Sequence, residues 1–260
     1  GGVAKAFCWG VNFNAALGDG TLNRHRTPTA VVGLQQGVTA LVAGGGHTCA
    51  LVVEAGADAT QEGGSVYCWG MNVNGQLGDG TPLYRATPTA VSDLPTDVVM
   101  VTAGKHHACA LQNGSLFCWG SNGYGQLANN YGDTNLPRPV AGLTGTVTAV
   151  SAGANHTCAL ANGGLFCWGA NDNGQLGNGS SDLNGITATS GLATGVTAIT
   201  AGSNHTCAVK QPGAVYCWGA NWDGRLGDGT NVARLTPVAV QGLPDTVTTV
   251  AAGEYHTCAL

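Results

Sequence analysis

The tripeptide Cys-Trp-Gly recurs five times in this chain of 260 residues, and the recurrence constrains the fold more than any other feature. Its copies lie at residues 8–10, 68–70, 118–120, 167–169 and 217–219. Successive copies are therefore 60, 50, 49 and 50 residues apart, and an insertion at residues 52–65 lengthens the first interval. A period of about 50 residues is typical of propeller blades and solenoid turns. The sequence therefore predicts one structural unit that is repeated five times.

Short strands fit this unit better than helices do. Glycine provides 43 of the 260 residues, and glycine or proline inside a helix costs ~1 to 3 kcal/mol. Each unit has room for about four short strands, one of which ends in Ala-Gly, as Val98–Gly104 does. Such small side chains suit the inner edge of a blade, where neighbouring backbones converge. We predict an all-β fold for residues 1–260, a single domain of about five four-stranded blades with the tripeptide tryptophans between them.

Ten cysteines are distributed over the repeats, five before Trp-Gly and five after His-Thr or His-Ala. The pair Asn113-Gly114 is a strong signal for a two-residue hairpin turn, and that turn sets Cys109 opposite Cys118. Cα atoms on such a rung approach to ~4.5 Å, which a disulfide can span. The same count sets Cys158 opposite Cys167, and a three-residue turn at residues 211–213 sets Cys207 opposite Cys217. Cys49 and Cys68 bracket the insertion and fit the scheme less tightly, but we predict a disulfide there too. The alternative is free thiols that pack as small apolar side chains.

Disulfides persist in oxidising compartments, so the cysteines predict a protein that is secreted or lies at the cell surface. The chain has no initiator Met, which agrees with removal of a leader segment. Seven residues precede Cys8 and two follow Cys258, and together they match the eight or nine residues between paired cysteines in the repeats without the insertion. We therefore expect the N- and C-terminal strands to meet in one hairpin, with a Cys8–Cys258 disulfide that closes the ring. The alternative is the same bond between copies of the chain, which would build an oligomer or filament.

The full repeat reads Cys-Trp-Gly-x-Asn-x-x-Gly-Gln-Leu-Gly-Asp-Gly-Thr, then Thr-Pro-x-x-Val, then Val-x-Ala-Gly-x-x-His-Thr-Cys-Ala-Leu. This pattern resembles the repeat of the regulator of chromosome condensation (RCC1-like) family over essentially the whole chain. The resemblance implies a β-propeller of four-stranded blades, usually seven, whereas this sequence has five repeats. Family members include a Ran nucleotide exchange factor, a plant UV-B photoreceptor and a secreted bacterial β-lactamase inhibitor. The cysteine pairs and the acidic charge argue against the first two roles and resemble the secreted bacterial type.

Composition excludes several classes of function. The net charge is −5 and the nine Lys and Arg residues are scattered, whereas nucleic-acid binders carry a basic patch. Apolar runs reach only about four residues, far below the ~20 of a membrane-spanning helix, so we expect no membrane insertion. The sequence has no Gly-x-Ser-x-Gly motif and no recurring acidic pair. We therefore expect that the protein is not an enzyme.

Two patterns raise the question of a metal site. Five histidines lie two residues before a cysteine, at His47, His107, His156, His205 and His256. Equivalent positions in a ring of blades lie far apart, so we interpret these histidines as buried residues that fix loops by hydrogen bonds. The loops at Asp172 and Asp223 resemble calcium loops in composition, but no acidic residue stands at the twelfth position. We therefore predict neither a metal nor a cofactor.

These observations favour a secreted, non-enzymatic propeller that binds a protein or serves as a structural module of an extracellular assembly. It would act through one loop face or self-assemble through the chain ends. A soluble inhibitor of an extracellular enzyme is the alternative that the resemblance adds. A propeller hydrolase or lyase with a central pocket is a third possibility.

Loop positions that differ between the repeats are free to specialise in binding. Trp, Tyr and Arg are the residue types enriched at binding hot spots. The candidate contact residues selected in this way are Phe13, Tyr84, Arg85, Tyr124, Tyr131, Trp222 and Arg225. The insertion at residues 52–65 is a second candidate. The alternative is that these side chains fill gaps between loops.

Overall fold

The computed structural model of the protein describes residues 4–53, 63–94, 96–129 and 132–260. Every regular element in this part of the chain is a β-strand, which confirms the all-β prediction. The described residues contain no helix of the length and apolarity that crossing a membrane requires.

The first of two compact units comprises residues 1–122 and 131–140. It contains one two-stranded sheet, β1-β2, and two four-stranded sheets, β3-β4-β5-β6 and β7-β8-β9-β10, all antiparallel. Its strands are β1 (Phe7–Gly10), β2 (His25–Ala30), β3 (Val38–Ala43), β4 (His47–Val52), β5 (Ser65–Gly70), β6 (Arg85–Ala90), β7 (Val98–Ala103), β8 (His107–Gln112), β9 (Ser115–Gly120) and β10 (Thr134–Pro139).

The second unit comprises residues 123–130 and 141–260. It contains two four-stranded sheets, β11-β12-β13-β14 and β15-β16-β17-β18, and the two-stranded sheet β19-β20. Its strands are β11 (Val147–Ala152), β12 (His156–Ala161), β13 (Gly164–Gly169), β14 (Asn184–Ala188), β15 (Val196–Ala201), β16 (His205–Lys210), β17 (Ala214–Gly219), β18 (Arg234–Ala239), β19 (Val250–Ala252) and β20 (Thr257–Ala259).

Each four-stranded sheet is a meander of sequence neighbours, as predicted for a blade. The hairpin of β8 and β9 shows how the sequence sets the register. Asn113 and Gly114 have φ values of 46° and 78°, as a tight hairpin turn requires, and Cys109 therefore faces Cys118. The four sheets confirm the predicted four-stranded blade. The remaining strands form the separate pairs β1-β2 and β19-β20, so closure of a ring stays a prediction.

Four of the predicted disulfides are present, each between the two central strands of a four-stranded sheet. The bonded pairs, with Cα atoms 4.1 Å apart, are Cys49–Cys68, Cys109–Cys118, Cys158–Cys167 and Cys207–Cys217. Cys8 and Cys258 are free thiols, so the expected bond between them is not formed in this structure. Cys8 faces Thr29 on β2, and Cys258 faces Ala251 on β19. The Cys8–Cys258 pairing stays a prediction.

The tryptophans of four tripeptides are buried in the core. Trp69, Trp119, Trp168 and Trp218 are all 0% exposed. Trp119 shares a core cluster with Leu51 and Val66 of the neighbouring sheet, which confirms the predicted role of this residue between blades. Trp9 differs, because 60% of it is exposed.

The small residues that end the inner strands are required by close backbone approach. A Cβ atom on Gly44 would lie 2.5 Å from the carbonyl oxygen of Gly104, and one on Gly153 would lie 2.6 Å from that of Gly202. Neighbouring backbones therefore converge at this edge, as the repeated Ala-Gly predicted.

Candidate functional site

The loop that follows each Cys-Trp-Gly strand is built around its asparagine. Asn72 is fully buried, and its Oδ1 accepts a hydrogen bond from the N–H of Leu77 at 2.9 Å. Its Nδ2 donates to Asp79 Oδ1 at 3.0 Å and to the carbonyl of Thr81 at 2.7 Å. The matching bonds to a leucine N–H are made by Asn12, Asn171 and Asn221. The recurring residues therefore hold the loop in shape, and the side chains that differ between repeats stay the candidates for binding.

A second internal contact explains Arg85. Its Nε lies 2.6 Å from Asp79 Oδ2, and the Asp79 side chain is almost fully buried. The matching pairs, both at 2.7 Å, are His25–Asp19 and Arg234–Asp228. Burial alone would raise the pKa of Asp79, but hydrogen bonds from Arg85 and then Thr81 outweigh this effect and lower it. Arg85 therefore contributes to the internal structure of its loop, and its role as a contact residue stays a prediction.

The other selected side chains differ in their accessibility. Phe13 and Tyr84 in the first unit are exposed, as are Tyr124 and Trp222 in the second. Tyr131 and residues 54–62 of the insertion lie outside the described residues. Exposure is what a binding role requires, so Phe13, Tyr84, Tyr124 and Trp222 stay candidates.

Trp222, Arg225 and Tyr255 of the second unit form one group, called here the aromatic cluster. The Arg225 Cζ lies 5.7 Å from the centre of the Trp222 ring and 5.0 Å from that of Tyr255. Trp222 is 60% exposed and Tyr255 is 58% exposed, whereas Arg225 is 4% exposed. Cation–π contacts at such distances are attractive by ~0.5 to 2 kcal/mol. Arg225 therefore holds the two exposed rings in place, and a contact of its own guanidinium with a partner stays a prediction.

Polar contacts fix the Arg225 guanidinium beneath the rings. Its Nη2 lies 2.5 Å from Asp223 Oδ2, and its Nη1 donates to the carbonyl of Glu254 at 3.2 Å. Most other repeats carry glutamine here, and Gln76 Oε1 accepts a hydrogen bond from the N–H of Asn74 at 2.9 Å. The matching bonds are made by Gln126 and Gln175. The change from glutamine to arginine therefore replaces a contact within the loop by support of an aromatic surface.

The family model described as "RCC1-like domain" matches residues 5–260, nearly the whole chain. The chain belongs to the RCC1-like domain family. This finding, with the four-stranded sheets, confirms the predicted propeller fold class.

Several known proteins are similar to this chain. The mitochondrial RCC1 domain-containing protein RUG3 of Arabidopsis thaliana is 28% identical over 115 residues, which are 41% of this chain and 24% of RUG3. Human WBSCR16 is similar in fold, with a TM-score of 0.81 and 24% identity over 98% of this chain and 66% of that one. Prp20p of Saccharomyces cerevisiae, whose crystal structure was described together with its binding properties to Gsp1p and histones, has a TM-score of 0.80 and 25% identity. The match covers 99% of this chain and 64% of Prp20p. The chain thus spans less than two thirds of the length of each relative.

The comparison of loop positions between the repeats did not select Tyr255 as a contact residue, although the repeat pattern contains a variable position at this residue. The two residues between Ala-Gly and His differ in every repeat: Gly45-Gly46, Lys105-His106, Ala154-Asn155, Ser203-Asn204 and Glu254-Tyr255. The last pair introduces a large aromatic residue in the same repeat as Trp222 and Arg225. Only the fold shows that these positions, about thirty residues apart in sequence, meet in space.

A surface depression in the same unit is lined by Tyr124. It has a volume of about 660 Å³ and is also lined by Leu183 and Ile186. Its lining contains no charged side chain, so it lacks a group that would orient a partner. The aromatic cluster, with a charged residue at its centre, is therefore the stronger candidate site.

The part of the chain that the structure describes holds no group of three or more His, Cys, Asp or Glu side chains placed to bind a metal ion. Asp223, considered above as part of a calcium-like loop, pairs with Arg225 instead. The aromatic cluster thus offers ring faces, a buried cation and an exposed carboxylate, which are features of a protein-binding surface.

Proposed function

We propose that this RCC1-like protein is a secreted, non-enzymatic binding module of the bacterial type, and that it recruits a protein partner within an extracellular assembly through the aromatic cluster. The observation that carries the proposal is the pair of exposed rings, Trp222 and Tyr255, on the buried Arg225. Rings held in place before binding lose little conformational freedom when a partner packs on them. Trp, Tyr and Arg also dominate the energetics of known interfaces.

Two further observations support the proposal. The family relative Prp20p binds proteins, namely Gsp1p and histones, and protein binding by this chain would be a related use of the same fold. The four disulfides are consistent with an oxidising compartment, as outside the cell. We further propose that residues 1–260 act as one domain, because one repeat pattern runs through both units.

The proposal is tested by affinity capture from the extracellular fraction of the source organism. Immobilised wild-type protein is compared with Trp222→Ala and Tyr255→Ala, and retained proteins are quantified by mass spectrometry. We expect a stoichiometric partner on the wild type and at least a tenfold loss on each variant, which is about 1.4 kcal/mol or more.

Val99→Ala is a matched control, because Val99 is an exposed apolar residue on β7 of the other unit. It should retain the partner as the wild type does, and all variants should keep the wild-type melting temperature within about 2 °C. Equal retention by the wild type and both cluster variants would overturn the proposal. If the captured partner is an enzyme whose turnover falls on binding, the module acts as an inhibitor.

A further inference from the structure

Four loops of the protein each accept the indole of a tryptophan from the next Cys-Trp-Gly strand. The indole Nε1 donates a hydrogen bond to the backbone carbonyl of the residue before the loop leucine. These bonds are Trp69 to Ala16 at 2.9 Å, Trp119 to Gln76 at 3.0 Å, Trp168 to Gln126 at 2.8 Å and Trp218 to Gln175 at 2.9 Å. We call this acceptor site on each loop the indole socket.

Two features recur around the sockets. A threonine hydroxyl on the strand beside the indole donates to the same carbonyl, as Thr206 does to Gln175 at 2.9 Å. A glycine with positive φ lies against the ring, and a Cβ atom on Gly177 would be 2.6 Å from Trp218 Nε1. The carbonyl is common to all four sockets, whereas Ala108 replaces the threonine in the socket of Trp119 and Ala128, with a φ of 48°, replaces the glycine in that of Trp168.

The fifth loop has all three features. The carbonyl of Arg225 accepts a hydrogen bond from Thr257 Oγ1 at 2.9 Å, and Gly227 has a φ of 65°. Among the described residues, no indole donates to this carbonyl. A cavity of about 300 Å³ opens here instead, and Val240 and Cys258 are among the residues that line it. The fifth socket is therefore formed and open.

One strand of the protein carries the group that such a socket accepts. Strand β1 contains Trp9, which is 60% exposed, and Cys8, which is a free thiol. Among the described strands β1 pairs with β2 alone, so its other edge is open. A cavity of about 440 Å³ is lined by Trp9, Leu41 and Val42 among others.

The complete blades show how a socket and its strand fit together. In the fourth-repeat hairpin, Cys158 faces Cys167 and Thr157 faces Trp168. The same register applied to β20 places Cys258 opposite Cys8 and Thr257 opposite Trp9. One segment, Phe7–Gly10, would then both bond to the exposed Cys258 and occupy the open fifth socket.

We propose that the fifth indole socket of one copy of the protein binds strand β1 of a second copy, with the Trp9 indole donating to the Arg225 carbonyl and with a Cys8–Cys258 disulfide between the copies. A second copy is the occupant because both thiols are free within the single chain, although the other eight cysteines are bonded. This inference goes beyond the proposed function, because its contacts are the Arg225 backbone carbonyl and Cys258, although Tyr255 is also among the residues that line the cavity.

The covalent step uses glutathione disulfide as the oxidant. The thiolate of the exposed Cys258 attacks one sulfur of glutathione disulfide, and one glutathione leaves and takes up the proton that Cys258 lost. The Cys8 thiolate of the second copy then attacks the Cys258 sulfur, and the second glutathione leaves with the proton of Cys8. Two protein thiols are oxidised to one disulfide, and one glutathione disulfide is reduced to two thiols. Burial raises the pKa of the Cys8 thiol, which agrees with attack by Cys258 first.

The test mixes equal amounts of unlabelled and nitrogen-15-labelled protein in a glutathione redox buffer. Linked peptides are then mapped by mass spectrometry, and mass in solution is measured by light scattering. We expect Cys8–Cys258 peptides that join one light and one heavy chain in the statistical proportion, together with multimers. In reducing buffer, Trp9→Ala should weaken association roughly tenfold or more. Leu22→Ala, which alters a similarly exposed side chain outside both cavities, should leave association unchanged.

Two outcomes would overturn the inference. Linked peptides that are only light–light or heavy–heavy would mean that the bond forms within one chain. A protein that stays monomeric with both thiols free would mean that the fifth socket does not take β1 of another copy. Neither outcome affects the proposed function, because capture of a partner by the aromatic cluster is measured separately with Trp9→Ala, which should retain it.

Discussion

The imidazole Nε2 of His205 lies 2.9 Å from the hydroxyl Oγ1 of Thr257, one repeat further along the chain. The same hydroxyl donates its hydrogen to the carbonyl of Arg225 at 2.9 Å. Because a hydroxyl has one hydrogen to donate, the bond to His205 requires the imidazole to donate from Nε2. His156 and Thr206 repeat this contact at 2.9 Å. His156 and His205 therefore act as neutral donors that join neighbouring repeats, in agreement with the structural role inferred from the sequence.

One repeat lacks this threonine, and the histidine that it would contact is His47. Residue 108 is alanine where the matching residues are threonines, and both ring nitrogens of His47 are buried without a hydrogen-bond partner among the described residues. We expect Ala108→Thr to stabilise the protein by about 1 kcal/mol, because it supplies an acceptor to His47. The melting temperature should rise by roughly 2–4 °C.

Ala108→Val is the matched control, since it has the shape of threonine without the hydroxyl. It should not raise the melting temperature in differential scanning calorimetry. If valine and threonine stabilise equally, packing rather than the hydrogen bond is the cause.

The buried histidines predict a loss of stability in mild acid. Burial, with a smaller effect of His106, lowers the pKa of His47 from 6.5 to about 4, and burial with His205 lowers that of His156 to about 3. Between these values and 6.5 the unfolded chain binds protons that the folded chain does not, so stability falls as the pH drops. Each such histidine contributes at most about 1.4 kcal/mol per pH unit.

The measurement is the free energy of unfolding by urea from about pH 7 to pH 4.5. His156→Gln keeps a donor for Thr206 but does not titrate, so its stability should depend less steeply on pH than that of the wild type. A wild-type free energy that stays constant between pH 6.5 and pH 4.5 would contradict the prediction.

Arg85 is expected to serve stability. Arg85→Ala leaves the buried carboxylate of Asp79 without its charged partner. Because Arg85 is partly exposed, we expect a modest loss of about 1 kcal/mol, or roughly 2–4 °C in melting temperature. Arg26→Ala, at an exposed residue of β2, is the control and should change neither quantity. A melting temperature for Arg85→Ala equal to that of the wild type would contradict this stabilising role.

The blade and its disulfides could be predicted because local signals determine them. Asn113-Gly114 fixes the turn, the turn fixes the register, and the register brings Cys109 opposite Cys118. The aromatic cluster could not be predicted in full, because Arg225 and Tyr255 meet only through packing of different strands and loops. The burial of Arg225 and the ion pair of Arg85 likewise depend on groups that the linear pattern does not bring together. Exposure of Trp9 was missed for a related reason, since burial of this residue depends on a strand beside β1.

The central claim is that the aromatic cluster is the binding surface, and Arg225→Gln tests it most directly. Glutamine is the residue of three other repeats at this position, so its Oε1 should accept the N–H of Asp223 and preserve the loop. The exposed rings of Trp222 and Tyr255 would lose the cation between them. We predict that immobilised Arg225→Gln keeps the wild-type melting temperature and retains roughly one tenth or less of the extracellular partner. Full retention of the partner by this variant, with the melting temperature unchanged, would contradict the account.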